Sequence, residues 1–253
     1  MARLGQNFLA DTNLLDAILR HAELDPSDVV LEVGGGEGIL TERLAAQAAH
    51  VHVVELDTGL CERLERLAAM HPNVTPVFGD AMHVDLAGLV PAPTAMVANL
   101  PYSIATPILI RTLAGLGGLQ RWTAMVQLEI AERLAAKPST KAYGSPSVLT
   151  QLCTRARLLR RVDRAVFRPR PRVDSALIGL ERIAPWPGDA TAALVRGAFA
   201  HRRKALARSV AMAGVESRER VLAALEAVGL SPTVRAEELE PPQFVQLAQE
   251  LGR

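Results

Sequence analysis

The sequence predicts an open α/β sheet, followed in the chain by a small all-helical domain. Three observations carry that reading. Short apolar runs alternate with helix-periodic segments through residue 183. Four of those runs end in groups able to hold a ligand, at the carboxyl edge where open α/β sheets bind one. Beyond a Pro-containing stretch over 184–189, only helical patterns remain. The 253 residues therefore divide into a sheet domain over 1–183, a linker over 184–189 and a helical domain over 190–253.

Taken in order, Gln6-Asn7-Phe8-Leu9 reads as a lead into the first helix, with a flap over a pocket as the alternative. That helix runs from about Asn13 to Leu24, with Leu14, Leu15, Ile18 and Leu19 on one face. Val29–Val33 is a buried strand, and Gly34-Gly35-Gly36-Glu37-Gly38 follows at once, before a helix from Ile39 to about Ala48. Glycines let a backbone approach a ligand closely. The spacing is G-x-G-x-G, which meets neither the dinucleotide fingerprint nor the phosphate-gripping loop that ends in Gly-Lys-Ser/Thr. A nucleoside ligand without phosphate, such as S-adenosylmethionine, suits it.

A second strand, His52–Glu55, ends in a carboxylate 19 residues after Gly36, where an acid can accept from ribose hydroxyls. A third, Val74–Phe78, ends at Gly79-Asp80-Ala81, with Asp80 placed for a nucleobase amine. Each acid alone reads equally as a helix cap, and Asp57 is the better cap for the helix Leu60–Ala69. The fourth run, Ala95–Ala98, ends in Asn99-Leu100-Pro101-Tyr102. Pro101 stops the strand, because its ring fixes φ and removes a donor. An amide oxygen and the Leu100 carbonyl can accept both hydrogens of one –NH2 group, while the Tyr102 ring stacks on a flat heterocycle. A capped turn explains the tetrapeptide alone equally well. The succession of four strand ends favours the site.

A helix from Thr106 to Leu116, a strand from about Trp122 to Gln127, a helix through Ile130, Ala131 and Leu134, a polar turn over 137–141 and a helix from Ser147 to Arg155 follow. Then comes an Arg-rich segment. Within it Phe167-Arg168-Pro169-Arg170-Pro171 reads as an extended loop with one exposed aromatic, and Ser175–Leu180 as the last strand. The helical domain reads as Thr191–Ala200, Arg202–Ala213, Arg218–Val228 and Pro242–Leu251.

Charge is unevenly spread. Residues 155–208 hold 14 Lys and Arg against four Asp and Glu, whereas the rest holds 14 against 23. One basic segment in a nearly neutral chain suits a polyanion, with a solvated Arg-rich surface as the alternative. No apolar run approaches the roughly 18 residues of a membrane span, and the first residues lack a signal peptide's apolar core. Cys61 and Cys153 are far apart in helix-like segments, as expected of a reduced cytoplasmic protein. No metal site is expected, since the six histidines lack ligand spacing; His50 and His52 share a strand face and read as structural.

Nearly the whole chain, from Gly5 to about Leu247, resembles the ribosomal RNA adenine dimethyltransferases, most closely the bacterial small-subunit type. The segments that carry the resemblance are GQNFL (5–9), LEVGGGEG (31–38), VVELD (53–57), GDA (79–81), NLPYSIATP (99–107), MVQLEIAERL (125–134), YGSPSV (143–148), FRPRPRVDSA (167–176) and FAHRRKALA (199–207). The resemblance implies a Rossmann-like class I methyltransferase sheet with a helical C-terminal domain. It also implies methyl transfer from S-adenosylmethionine to the exocyclic amine of two adjacent adenosines near the 3′ end of 16S rRNA, in the immature small subunit.

Cofactor contacts would then fall on Asn7, Leu9, Gly34, Glu55, Asp80 and Asn99, with Gly36 and Ala81 beside them. Asn99, Leu100, Pro101 and Tyr102 would form the catalytic tetrapeptide. Tyr102 and Phe167 would stack the base, and Arg168, Arg170, Arg202, Arg203 and Lys204 would grip RNA. A monomer with no membrane association is expected. Four positions depart from the family: Gly35 replaces a usual Pro, Leu128 a usual Lys, Ser139 a common Gly or Asn, and Arg208 a common Asn. The rival readings are a 23S rRNA dimethyltransferase conferring macrolide resistance, which more often carries Asn-Ile-Pro-Tyr, and an assembly factor whose binding outweighs its catalysis.

Overall fold

The computed structural model describes residues 8, 9, 11–168 and 170–252. The chain folds as two compact units. The first holds the described residues up to Ala131 together with Ala156–Arg182; the second holds Glu132–Arg155 and the residues from Ile183 onwards. Residues 132–155, read from sequence as part of the sheet domain, thus pack with the C-terminal helices.

The first unit is built on a seven-stranded sheet. In chain order its elements are β1 (Phe8–Leu9), α1 (Thr12–Ala22), β2 (Val29–Val33), α2 (Ile39–Ala45), β3 (His50–Glu55), α3 (Cys61–Met70), β4 (Val74–Phe78), β5 (Ala95–Asn99), α4 (Ala105–Gly115), β6 (Arg121–Gln127), α5 (Leu128–Leu134), β7 (Thr154–Val162), β8 (Phe167–Arg168) and β9 (Ser175–Arg182). The strand order is β4-β3-β2-β5-β6-β9-β7. The five strands from β4 to β6 run parallel and β9 returns antiparallel along β6. The order reverses between β2 and β5. A crevice opens at such a reversal, because the connections leave to opposite sides.

Local chemistry explains the elements. Asp11 caps α1, its carboxylate accepting from the N–H groups of Asn13 and Leu14. Strand β2 is buried along its whole length, as a central parallel strand must be, and reads accordingly as a continuous apolar run interrupted by Glu32. The His50 and His52 rings lie 4.5 Å apart, tilted 58° to each other, and a ring nitrogen of His52 lies 2.8 Å from the Pro91 carbonyl, a structural role.

Two expectations are corrected here. Residues 154–162 form an edge strand, where the Arg-rich composition had suggested none; Arg155, Arg157, Arg160 and Arg161 are its exposed residues. Charged side chains suit an edge, because they oppose pairing with a second sheet. Phe167 is 2% exposed, packed in the core with Leu14, Leu15 and Leu177. Its backbone pairs with Leu9 in a two-stranded ribbon, β1 with β8, which turns the ring inward. It is not the exposed aromatic read from the Pro-rich loop.

The second unit contains α6 (Ser145–Cys153), α7 (Asp189–Ala200), α8 (Leu206–Met212), α9 (Arg218–Ala227) and α10 (Pro241–Glu250). Helix α8 starts later than the sequence pattern suggests, because His201–Lys204 form a turn. Tyr143, Phe199 and Phe244 build an aromatic cluster at 5.9 Å spacings, and the Tyr143 hydroxyl donates to the Leu239 carbonyl. Ser139 has a φ of 62° and its N–H donates to the Glu237 carbonyl at 2.7 Å. That left-handed backbone is the physical reason glycine or asparagine suits this position better.

Candidate active site

A cleft lies along the carboxyl ends of β2, β3, β4 and β5. It gathers Gly34 and Gly36 from the turn after β2, Glu55 from β3, Asp80 and Ala81 from beyond β4, and all of Asn99-Leu100-Pro101-Tyr102. These residues are 68 positions apart in sequence at the extremes, and the crossover topology alone brings them together.

The turn after β2 is held from both sides. Gly34 donates to the Val54 carbonyl at 2.8 Å. Its φ of +83° favours glycine, and a Cβ there would stand 3.3 Å from the Pro101 ring and 3.6 Å from the Asn99 carbonyl. Glycine at 34 therefore lets the turn lie against the tetrapeptide. At Gly35 a Cβ would fall 2.3 Å from a Val53 methyl, so the glycine that replaces the family's proline is matched to the valine beneath it.

Glu55 is buried, and each of its oxygens is engaged. One accepts from the Gly36 N–H and the other from the Asp57 N–H, both at 2.8 Å. A carboxylate oxygen can accept more than one bond, so a ribose edge can still be received. Asp80 accepts from the Met82 N–H at 2.8 Å and pairs with His83 at 3.0 Å. The Met82 bond is the main cause holding its carboxyl below the usual range, and His83 and the Arg111 charge add to it. Arg111, on α4, donates to the Ala81 and Val84 carbonyls and so pins the loop that carries Asp80.

The tetrapeptide is fixed through its backbone. Leu100 donates to the Met125 carbonyl at 3.1 Å, and the Pro101 carbonyl accepts from Ile104 at 3.1 Å. Among the described residues nothing donates to the Leu100 carbonyl. The Tyr102 hydroxyl lies 2.6 Å from Ser175 Oγ; burial of the half-buried ring is the main cause raising its phenol above the usual range.

Three functional candidates escaped the sequence reading. Glu32 lines the cleft, is 1% exposed, and its Oε2 has no hydrogen-bond partner among the described residues. Burial, with the nearby Glu55 charge adding to it, pushes its carboxyl up to about 8; the Thr41 hydroxyl eases this without completing a well-formed bond. A carboxylate inside an apolar run was the sign of it. Arg111 and Ser175 carried no such sign.

The expected RNA contacts are only partly free. Arg202 is committed to Glu237 at 2.7 Å and to the Thr140 and Lys141 carbonyls, which makes it a structural tie. Arg170, Arg203 and Lys204 are exposed. Phe167, buried, does not line the cleft. Asn7 lies outside the described residues. Leu9 and Arg168 are described here by their place in the β1–β8 ribbon.

The family described as ribosomal RNA adenine dimethylase matches residues 1–252. A protein of Rubrobacter xylanophilus named ribosomal RNA small subunit methyltransferase A is 43% identical over 247 residues, 97% of this chain and 92% of that one. Its namesake in Streptomyces coelicolor is 43% identical over 258 residues, covering 97% and 88%. Among solved structures, the 23S rRNA methyltransferase ErmE is 31% identical with a TM-score of 0.69, covering 98% of this chain and all of that one. A dimethyladenosine transferase from Plasmodium falciparum superposes with a TM-score of 0.82 over 97% of each chain; at 23% identity it speaks for the fold. Cleft and helical unit alike fall inside these matches, and the chain belongs to the ribosomal RNA adenine dimethylase family.

Proposed function

We propose that the protein transfers methyl groups from S-adenosylmethionine to the N6 amine of two adjacent adenosines near the 3′ end of 16S rRNA, each methylated twice, in the immature small subunit. The observation that carries this is the meeting, in one cleft, of the glycine turn and Glu55 with Asn99, Leu100 and the Tyr102 ring. The small-subunit choice is supported by 39–43% identity with relatives named for that subunit, against 31% with ErmE.

The cleft suits the cofactor. Glu32 Oε2, buried and without a partner among the described residues, offers an acceptor to the cofactor's amino-acid portion, and a cationic amine bound beside it would favour release of the carboxyl proton. Glu55 and Asp80 offer acceptors to ribose and adenine. S-adenosylmethionine, when bound, supplies an electrophilic methyl group on a sulfonium.

The chain's own residues do the rest by placement. The Asn99 amide oxygen and the Leu100 carbonyl accept the two N–H bonds of the adenine amine. That draws its lone pair out of the ring plane and aims it into the cleft. Orientation of this kind supplies much of an enzymatic rate. Tyr102 stacks the extruded base, worth roughly 1–3 kcal/mol. The exposed arginines of β7, with Arg170, Arg203 and Lys204, meet RNA phosphates, which give affinity and register rather than sequence. No helix among the described residues is long and apolar enough to cross a membrane. The reading carries with it a monomer acting in the cytoplasm, where ribosomal subunits assemble.

The test uses methyl-labelled cofactor with small and large subunits from cells lacking these modifications, the label being mapped by primer extension. Dimethyladenosine at adjacent positions near the 3′ end of 16S rRNA is the expected result, and label confined to 23S rRNA overturns it. Asn99→Ala should abolish turnover while cofactor binding survives.

A further inference from the structure

We propose that Ser175 is a positioning residue that sets the plane of the Tyr102 ring for the incoming base, through the hydrogen bond between their hydroxyls. The inference rests on the reading of Tyr102 as the stacking ring. It assigns a role to a residue 73 positions away, on a different strand, that does not line the cleft.

The two partners differ in freedom. Ser175 opens β9, an interior strand flanked by β6 and β7, and it is fully buried. It stands opposite Gln127 in the register with β6. Its position is therefore set by the sheet. Tyr102 belongs to the turn between β5 and α4, is half-buried, and lines the cleft. A tyrosine anchored at its Cα alone can swing and spin about two side-chain torsions. A 2.6 Å bond at the far end of the ring removes the swing.

Stacking needs a ring held in one plane, because an attraction between faces is lost when the ring tilts. The amine held by Asn99 and Leu100 must also stay aimed, and small misplacements cost much rate. A phenylalanine at 102 would keep the face and lose the anchor. Such a change would also leave the buried Ser175 hydroxyl without the partner it has here. Burial and the Asp174 charge both hold the Tyr102 phenol protonated, so the bond persists across the working pH range. The hydroxyl at 102 is therefore part of the site, and a family motif that ends in tyrosine has a geometric use for it.

The experiment is a double-mutant cycle on the full chain, Tyr102→Phe, Ser175→Ala and both together. It is read as kcat for methyl transfer to unmodified small subunits, with cofactor Kd and melting temperature measured alongside. Each single change should lower kcat by about three- to tenfold, the size of one neutral hydrogen bond. Cofactor Kd should hold, and the double variant should be no worse than the worse single. With 2-aminopurine at the target position, quenching on binding should weaken in both singles. Wild-type kcat in Tyr102→Phe, or losses that multiply in the double, overturn the proposal. Tyr102→Phe carries the test by itself should Ser175→Ala fail to fold. Tyr102→Ala separates the two levels. Full activity in that variant sinks the stacking reading, whereas its failure beside a fully active Tyr102→Phe sinks only the anchor.

Discussion

Replacing Glu55 with glutamine puts a donor where two backbone N–H groups converge on one carboxylate. Its oxygens accept from Gly36 and from Asp57 at 2.8 Å each, inside a site where Glu55 is 6% exposed. Glutamine has one oxygen, so it can keep one of these bonds and must present its NH2 group to the other donor. The lost bond was charge-assisted, worth about 1.5–3 kcal/mol. Little water reaches the site to replace it. Gly36 belongs to the turn that must approach the cofactor, so most of this loss falls on binding. At 1.4 kcal/mol per factor of ten, cofactor affinity should fall by roughly 10- to 150-fold. Calorimetric titration of S-adenosylhomocysteine into wild type and Glu55→Gln reads this directly, with circular dichroism to confirm the fold. Affinity within threefold of wild type, the fold intact, would show that the carboxylate neither holds the turn nor meets the ligand.

Glu32 gives a prediction in pH. Its carboxyl sits at about 8 in the fold against 4.5 unperturbed, so between those values the folded chain holds a proton that the unfolded chain has lost. Stability from this group is therefore greatest below pH 4.5 and is lost as pH rises through 8. Urea unfolding from pH 5 to 9 should show Glu32→Gln with a flatter profile than wild type; parallel profiles would contradict the burial effect. Ser139→Gly should raise stability by about 1 kcal/mol, since glycine takes φ of 62° without strain, and an unchanged or lower melting temperature would count against it. Gly35→Ala should cost about 1–3 kcal/mol by forcing a Cβ against Val53, and Val53→Ala should recover part of that loss in the double variant. Additive losses would place the clash elsewhere.

Of the strands that carry the site, β2, β3 and β5 were legible because they are central, parallel and buried, while the edge strand β4 was legible by its Val-Thr-Pro-Val-Phe run, and each stops at a residue with a chemical reason to be there. Helix and strand limits agree to within a few residues for the same reason. What could not be read depends on partners remote in sequence. Phe167 sits among prolines and arginines, a setting that reads as exposed, and only its pairing with Leu9, 158 positions earlier, turns it into the core. The arginines of β7 look like a charged coil because an edge strand has one side free of the core, and alternation is blurred there. The cluster at 201–204 reads as free positive charge until Glu237 is found against Arg202. Ser139 stands where the family commonly has Gly or Asn, and the backbone angle gives that preference a conformational cause which the sequence does not display. Gly35 stands where the family usually has Pro, and Val53 fills the space that a side chain there would need.

The contact of Gly34 with Pro101 bears on how this protein can diverge. With 3.3 Å between the Pro101 ring and the place a Cβ would occupy, and a φ of +83°, a side chain at position 34 would be strained and would press on that ring. A substitution at position 34 would therefore be felt at the tetrapeptide as a displaced Pro101 ring. Residues 67 positions apart are thereby coupled through packing.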